Sequence, residues 1–187
     1  MADPVGGDGS ELSQAKWSRI ERLVAEHHAD VYGYLFRLSG SAADAEDLAQ
    51  QTFLAAFENI GQLREPDKER AWLLSIARSR FLKWVRKRAP RVATDVELDV
   101  ELLDDGVTDD AGIDGERLQQ ALNRLPPDWR LVLTMYYYEQ ATYREIAEQL
   151  GIPLGTVMSR LARAKRRLRE LLLRQPVRPA QSSHGQP

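Results

Sequence analysis

Apolar residues recur at intervals of three and four along most of the chain, which is the spacing that places them on one face of an α-helix. This pattern runs from about Lys16 to Arg88 and resumes from Leu118 to Leu171. The sequence shows neither the strict alternation of apolar and polar positions that is typical of β-strands nor an internal repeat. We therefore predict an all-α protein.

A helix-turn-helix is predicted in residues 142–169. Thr142 and Glu145 have the spacing of a capping box, and Gly151 permits the left-handed backbone that ends a helix. Pro153 fits the first turn of the next helix, where its missing N–H costs little. A plain helical hairpin with a solvated basic face is the alternative. The polar and basic positions outside the apolar stripe of the second helix are Thr156, Ser159, Arg160, Arg163, Arg166 and Arg167.

The first helical stretch contains three helices separated by breaks. Ser41 and Asp44 have the pattern of an N-cap followed by a first-turn acid, and the helix they open continues through Phe57. A longer helix is predicted over residues 71–88 and is ended by Pro90. Its apolar residues cluster on one side of a helical wheel, and basic residues occupy about a third of the circumference on another. Those basic residues are Arg80, Lys83, Arg86 and Lys87.

The formal net charge of −2 hides a strong segregation of charge. Residues 78–91 contain seven basic side chains and no acidic one, whereas residues 95–116 contain ten acidic side chains and no basic one. Residues 160–174 are basic again, with Glu170 as the one acid. Block patterning of this kind indicates different partners for different segments. We expect two nucleic-acid contacts and one contact that is not with DNA.

These patterns divide the chain into two small helical domains joined by an acidic flexible linker. The two ends are poor in apolar periodicity and have the composition of disordered segments. The predicted segments are a disordered tail at 1–15, a helical domain at 16–90, the linker at 91–114, a helix-turn-helix domain at 115–174 and a disordered tail at 175–187.

Composition excludes several classes of function. The chain has no cysteine, so disulfides, thiolate metal sites and cysteine nucleophiles are excluded. No apolar run approaches the roughly 20 residues of a membrane span, and the N-terminus lacks a secretory signal, so we expect a cytoplasmic protein without membrane insertion. His27 and His28 are adjacent and point about 100° apart on a helix, which serves one metal ion poorly. We predict no metal, no cofactor, no catalytic residue and no enzyme activity.

Three segments in order resemble the bacterial sigma factors of the extracytoplasmic-function (ECF) type. They are DAEDLAQQTFLAAF at 44–57, AWLLSIARSRFLKWVRKR at 71–88 and YREIAEQLGIPLGTVMSRLARAKRRL at 143–168. The resemblance implies that they bind core RNA polymerase, melt and read the −10 promoter element, and read the −35 element, respectively. It implies core RNA polymerase and promoter DNA as partners, with an anti-sigma factor as a further one. An operator-binding repressor or activator that acts without core polymerase is the alternative.

The resemblance also assigns roles to individual residues. Polymerase binding falls on Asp44, Glu46, Asp47, Gln50, Gln51 and Phe53. Contact with the −10 element falls on Trp72, Arg78, Ser79, Arg80, Lys83, Arg86, Lys87 and Arg88. Contact with the −35 element falls on the six outward positions of the second helix of the helix-turn-helix, with Ser159 and Arg163 on bases and Arg160, Arg166 and Arg167 mostly on phosphates.

Several of these assignments have open alternatives. Trp72 either stacks on a base or belongs to the core, whereas Trp84 is expected in the core. The acids after Ser41 either bind core polymerase or only complement the helix dipole. The acidic linker is either a nucleic-acid mimic in the polymerase channel or a solvated tether.

Three positions depart from the usual family residues. Ser79 replaces an asparagine and Lys83 an aspartate in the −10 helix, and Met158 replaces a basic residue in the recognition helix. Because a methionine side chain cannot donate a hydrogen bond to a base or phosphate, these differences bear on promoter preference.

Overall fold

The structure is a computed structural model that describes residues 8–63, 65–88 and 114–174, with side chains from Gln14 onward. The described residues form seven α-helices and two short 3-10 turns, and no strand occurs among them. The all-α prediction is therefore confirmed. The helices are α1 (Asp8–Ser39), α2 (Ala42–Asn59), α3 (Glu69–Arg88), α4 (Gly115–Asn123), α5 (Pro127–Tyr137), α6 (Tyr143–Leu150) and α7 (Leu154–Arg174).

Helices α1, α2 and α3 form an N-terminal unit around a core of aliphatic and aromatic side chains. Tyr34, Leu48, Leu73 and Phe81 are each at most 1% exposed within it. Burying a side chain of this size stabilises the fold by roughly 1.5–3 kcal/mol. Two 3-10 turns, Ile60–Gln62 and Pro66–Lys68, lie between α2 and α3. Helix α1 already begins at Asp8, so residues 8–15 are helical and the predicted disorder of that stretch is wrong.

Local signals for helix ends are found where the sequence indicated them. The side-chain oxygen of Ser41 accepts a hydrogen bond from the backbone N–H of Asp44 at 3.3 Å and caps α2. Thr142 and Glu145 form the predicted capping box at the start of α6. Gly151 ends α6 with φ = 64°, in the left-handed region. Pro153 precedes α7 by one residue, and its carbonyl accepts the first backbone hydrogen bonds of that helix.

Helices α4 to α7 form a C-terminal unit, and α6 and α7 are the predicted helix-turn-helix. Ile146, Val157, Leu161 and Ala164 are at most 1% exposed where α6 and α7 pack on each other and on the rest of this unit. Asp114 caps α4 by accepting from the N–H of Glu116. Residues 91–113 of the predicted linker and the predicted tails at 1–7 and 175–187 lie outside the described residues.

The two units are packed together, which the sequence did not predict. Helix α1 contacts α2 and α3 on one side and α4 and α5 on the other, and one continuous core runs through both units. The amide of Gln119 donates to the carbonyls of Phe36 at 3.1 Å and Arg37 at 3.4 Å, and Asn123 donates to the carbonyl of Gly40. The last carbonyls of a helix have no partner within it. Side chains of α4 therefore cap the C-terminal end of α1.

The described helices include none that is long and apolar enough to cross a membrane.

Gly40 lies at the tightest point of this contact and is predicted to tolerate no side chain. Its φ of 75° is unfavourable for other residues, and an added Cβ atom would lie 2.2 Å from the side-chain oxygen of Asn123. We expect Gly40→Ala to lower the free energy of unfolding by at least about 1–2 kcal/mol in urea denaturation. Gly61→Ala is the matched control, because an added Cβ there meets no atom within 4 Å. Equal effects of the two substitutions would contradict the packing described.

Candidate nucleic-acid and polymerase interfaces

The recognition face of α7 is formed by the six polar and basic positions that the sequence singled out. At about 100° per residue, these six side chains lie within about 120° of one another, on a face that flanks the buried stripe of α7 and whose centre is about 120° from it. Arg166 and Arg167 are exposed, and the other four side chains are half-buried. The structure thus brings all six predicted −35 residues onto one surface. Met158 lies about 80° outside this arc and is half-buried.

Two acids hold arginines on this face. Arg160 forms an ion pair with Asp128 of α5, with 3.2 Å between its guanidinium nitrogen and the carboxylate, and Arg167 pairs with Glu170 at 3.0 Å. Sequence reasoning missed Asp128, because it lies on another helix and no local pattern links it to Arg160. The hydroxyl of Ser159 donates to the carbonyl of Thr156 at 3.1 Å, so its proton is used within the helix and the oxygen acts toward a ligand as an acceptor.

A cleft of about 330 Å³ lies between α2 and α3, within the volume range of small-ligand pockets. Trp72 and Lys83 line it from α3, and Asn59 and Gln62 line it from the end of α2 and the following turn. The sequence did not single out these two amides. The amide of Gln62 donates to the side-chain oxygen of Asn59 at 3.1 Å. The complete lining is Ala55, Asn59, Gln62, Trp72, Ser75, Ile76, Ser79, Arg80 and Lys83.

Six of the eight predicted −10 residues lie on the side of α3 that borders this cleft. Trp72, Ser79, Arg80, Lys83, Arg86 and Lys87 fall within about 120° of one another at about 100° per residue. Trp84 is on a different side of the helix, half-buried against the core and stacked on Phe81 with 5.7 Å between ring centroids. The cleft therefore combines an aromatic ring, amides, hydroxyls and positive charge.

The other two predicted −10 residues are placed elsewhere. Arg78 is 7% exposed and lies about 80° from Arg86, the nearest of those six residues on the helical wheel. Its guanidinium donates to both carboxylate oxygens of Glu139 in the C-terminal unit, at 3.0 and 2.9 Å. Arg88 stacks on Trp84 and pairs with Asp44 at 2.9 Å. In this structure neither arginine lies with the six residues on the cleft side of α3, because each pairs with a carboxylate of another element.

Helix α2 presents a polar stripe on its outer face. Asp47, Gln50 and Gln51 are exposed, and Gln51 donates to Asp47 at 2.6 Å. Glu46 is half-buried and accepts from Gln50 at 3.4 Å. Phe53, in contrast, is only 8% exposed and lies in the core, where its ring stacks near His28. The structure therefore separates Phe53 from the other predicted polymerase-binding residues.

Leu54 is the apolar residue that this stripe does present. It is 60% exposed and lies one helical turn from Gln50 and Gln51. No local sequence signal marks Leu54, because its exposure depends on the direction in which α2 packs. Asp44 lies at the start of the stripe, and the hydrogen bond from Arg88 lowers the pKa of its carboxyl group. Asp44 is therefore ionised and already engaged within the chain.

One group of potential metal ligands occurs among the described residues. Glu26, His27 and Glu69 lie close together where α1 meets the start of α3. Arg22 donates to both oxygens of Glu69, at 3.1 and 2.7 Å, and to Glu26 at 3.2 Å. A guanidinium thus occupies the carboxylates that an ion would need, and Arg22 lowers the pKa of Glu69. This cluster is an ion-pair network between α1 and α3.

Comparison with known proteins identifies the family of the chain. Residues 23–91 match the family Sigma-70 region 2, and residues 115–168 match the family Sigma-70, region 4. The ECF RNA polymerase sigma factor SigE of Mycolicibacterium smegmatis is 34% identical over 181 residues, which cover 94% of this chain and 68% of that protein. This chain belongs to the family of ECF RNA polymerase sigma factors.

Further relatives have similar lengths. The ECF sigma factor SigW of Bacillus subtilis is 32% identical over 162 residues, covering 80% of this sigma factor and 87% of SigW. A solved structure of the sigma factor RpoE in complex with the anti-sigma factor NepR, from Bartonella quintana, superimposes with a TM-score of 0.62 and 26% identity. It covers 83% of this sigma factor and 98% of that chain. The predicted family is confirmed, and the protein is a transcription regulator that works with RNA polymerase in promoter recognition.

Proposed function

We propose that three helical faces divide the work of this sigma factor. The outer stripe of α2 binds core RNA polymerase, the cleft between α2 and α3 holds an unpaired base of the −10 element, and the arginine face of α7 reads the −35 element. The observation that carries the proposal is the cleft, because it combines an aromatic ring, amides and cations in one depression, which is a combination that suits an unpaired base. No bond-making step is assigned to the protein, and its place of action is the cytoplasm, where core polymerase acts.

The cleft suits a flipped base for physical reasons. An aromatic face such as that of Trp72 stacks on any base, and the amides of Asn59 and Gln62 offer donors and acceptors for a base edge. Lys83 and Arg80 beside them neutralise the phosphates of the same strand. Ser79 places a short hydroxyl in the cleft lining, and the departures from the family pattern at Ser79 and Lys83 therefore alter the preferred base.

The α2 stripe suits a protein partner rather than DNA. Its acids, Asp44, Glu46 and Asp47, repel phosphates and attract basic side chains of a polymerase subunit. Leu54 adds an apolar contact at the C-terminal end of the stripe, and exposed apolar residues beside polar ones are typical of protein interfaces. Phe53 supports this face from the core.

An anti-sigma factor is a further proposed partner. The solved relative RpoE is seen with the anti-sigma factor NepR, and this chain shares its fold. For the acidic linker we retain the proposal that it mimics nucleic acid in the polymerase channel, with a solvated tether as the alternative.

Run-off transcription with purified core polymerase on a promoter library tests the function. We expect specific initiation that requires this chain, together with co-purification of core polymerase. Leu54→Asp is expected to reduce core binding at least about tenfold while the fold is retained, because the side chain is already exposed. Ala25→Asp, at an exposed position of α1 outside the stripe, is the matched control. Tight sequence-specific DNA binding without core, and no effect on initiation, would favour the operator-binding alternative.

Trp72→Ala is predicted to weaken binding of a single-stranded −10 fragment selectively. A base–aromatic stack contributes roughly 1–3 kcal/mol, so affinity should fall about 5- to 150-fold. Binding of a −35 duplex should be unchanged in the same fluorescence-anisotropy assay. Trp17→Ala serves as control, because Trp17 is exposed on α1 and its ring packs against Phe57 in a tilted arrangement. If Trp72→Ala lowers the melting temperature and leaves the −10 affinity intact, Trp72 is a core residue only.

Arg163→Ala is predicted to change base preference at the −35 element. Loss of a bidentate contact with guanine should cost roughly 1–3 kcal/mol and relax specificity at one position. Arg166→Ala should instead weaken binding to all −35 sequences about equally and reduce the slope of log affinity against log salt concentration by about one. Arg169→Ala, exposed on α7 but outside the six-residue face, is the control. If Arg163→Ala lowers the affinity for every −35 sequence equally, Arg163 contacts phosphate and does not read a base.

A further inference from the structure

Two arginines of α1 fasten the segment that connects α2 to α3. The guanidinium of Arg19 donates to the backbone carbonyl of Leu63 at 2.9 Å. Arg22 lies about one helical turn further along α1 and donates to both carboxylate oxygens of Glu69, at 3.1 and 2.7 Å. Glu69 is the first residue of α3. Helix α1 therefore holds the connecting segment at Leu63 and again at the point where α3 begins.

Both groups that accept these hydrogen bonds belong to buried residues. Leu63 is 5% exposed and Glu69 is 4% exposed. A carbonyl or a carboxylate that is removed from water needs a donor, because otherwise the loss of its hydration is not compensated. The hydrogen bond from Arg22 is also the main cause of the lowered pKa of Glu69, which is therefore ionised. The connecting segment thus cannot shift away from α1 without leaving a buried acceptor unpaired.

The two attached residues are adjacent to the two walls of the cleft between α2 and α3. Gln62, which lines the cleft, directly precedes Leu63. Trp72 lines the cleft from α3 and follows Glu69 by about one helical turn. Among the described residues that line the cleft, neither arginine occurs. Helix α1 can therefore act on a bound base only through the residues that its arginines hold.

The two walls of the cleft recognise a base in different ways. The ring of Trp72 stacks on any base, so its contribution depends little on base identity. The amide of Gln62 can hydrogen-bond the edge of a base, and such a bond needs about 2.7–3.2 Å between donor and acceptor. Gln62 also donates to Asn59 at 3.1 Å, which orients its amide within the α2 wall. The separation of the walls then decides whether this amide reaches the edge of a base that is stacked on Trp72.

We propose that Arg19 and Arg22 are positioning residues of the cleft, which set the separation of its two walls and thereby the base that it accepts. The inference rests on the proposed function, because it takes an unpaired base of the −10 element as the occupant of the cleft. Loss of an attachment should reduce the discrimination between bases much more than it reduces stacking. A purely structural role of the two arginines predicts the opposite pattern, a lower melting temperature with an unchanged preference among bases.

Fluorescence anisotropy with the full chain tests the positioning role on single-stranded −10 fragments, in which each position carries each base in turn. We expect the wild type to prefer one base at one position by at least about fivefold. Arg19→Ala should remove most of this preference but change the affinity for the weakest-binding fragment by less than about twofold, because stacking is retained. Lys16→Ala is the matched control, because it also removes one positive charge from α1, but from a side chain that lies over Phe57.

Arg22→Lys is the second variant. It keeps the positive charge beside Glu69 but lacks the planar pair of donors that binds both carboxylate oxygens. We expect the preference among bases to fall, while circular dichroism shows an unchanged helix content. The positioning role is wrong for an arginine whose folded variant keeps the wild-type preference or weakens binding to every fragment equally. It is also wrong if Lys16→Ala removes the preference to the same extent.

The same assay separates the positioning role from the proposed function. If the wild type prefers one base and Trp72→Ala weakens binding, but Arg19→Ala and Arg22→Lys change nothing, the function stands and the positioning role alone fails. If the wild type binds all fragments alike and Trp72→Ala has no effect, the cleft holds no base. The positioning role then fails together with the proposed function of the cleft.

Discussion

The ion pair between Arg78 and Glu139 determines how the rest of this sigma factor is arranged. Two charges that are both nearly removed from water are stable only as partners, so the residue after α5 and the middle of α3 must stay within hydrogen-bond distance in this state. Burial and the adjacent carboxylate also raise the pKa of Tyr34 well above its usual value, which keeps its hydroxyl protonated as a donor to Glu139. Tyr34, Arg78 and Glu139 thus satisfy one another's hydrogen bonds, and the apolar cores of the two units form one continuous core.

Helix α3 shows how one helix serves three neighbours. Its apolar side, with Leu73 and Phe81, packs on α1 and α2, while the arc from Trp72 to Lys83 borders the cleft. Arg78 faces a third direction and meets the C-terminal unit. Because successive residues are rotated by about 100°, side chains adjacent in sequence, such as Arg78 and Ser79, face different neighbours. A basic run in a helix is therefore not a single binding surface.

Helix α1 is the element that joins these surfaces. It packs against α2 and α3, and its C-terminal carbonyls are capped by Gln119 and Asn123 of α4. The end of a helix carries partial negative charge, and amide donors from another unit neutralise it. The capping contacts at the end of α1 and the hydrogen bond from Tyr34 of α1 to Glu139 both join this helix to the C-terminal unit. Separation of the two units would therefore break both sets of contacts.

The sequence by itself determined the helices, their caps and the polar face of α7, because these depend on neighbours within a few residues. The Thr142–Glu145 box, the left-handed Gly151 and the six outward positions of α7 follow from local spacing alone. The family resemblance came from the same local segments. The early start of α1 was missed because its first residues lack an apolar pattern.

Only the tertiary structure decided where Arg78, Arg88 and Phe53 lie, and that Leu54, Asp128 and Glu139 matter. Glu139 is 61 residues from Arg78 and 105 from Tyr34 along the chain. A charge run in the sequence states which residues are basic, whereas the partner of each one depends on which helices meet. That meeting depends on how the apolar faces of α1, α3 and α5 bury one another, and no local pattern encodes it.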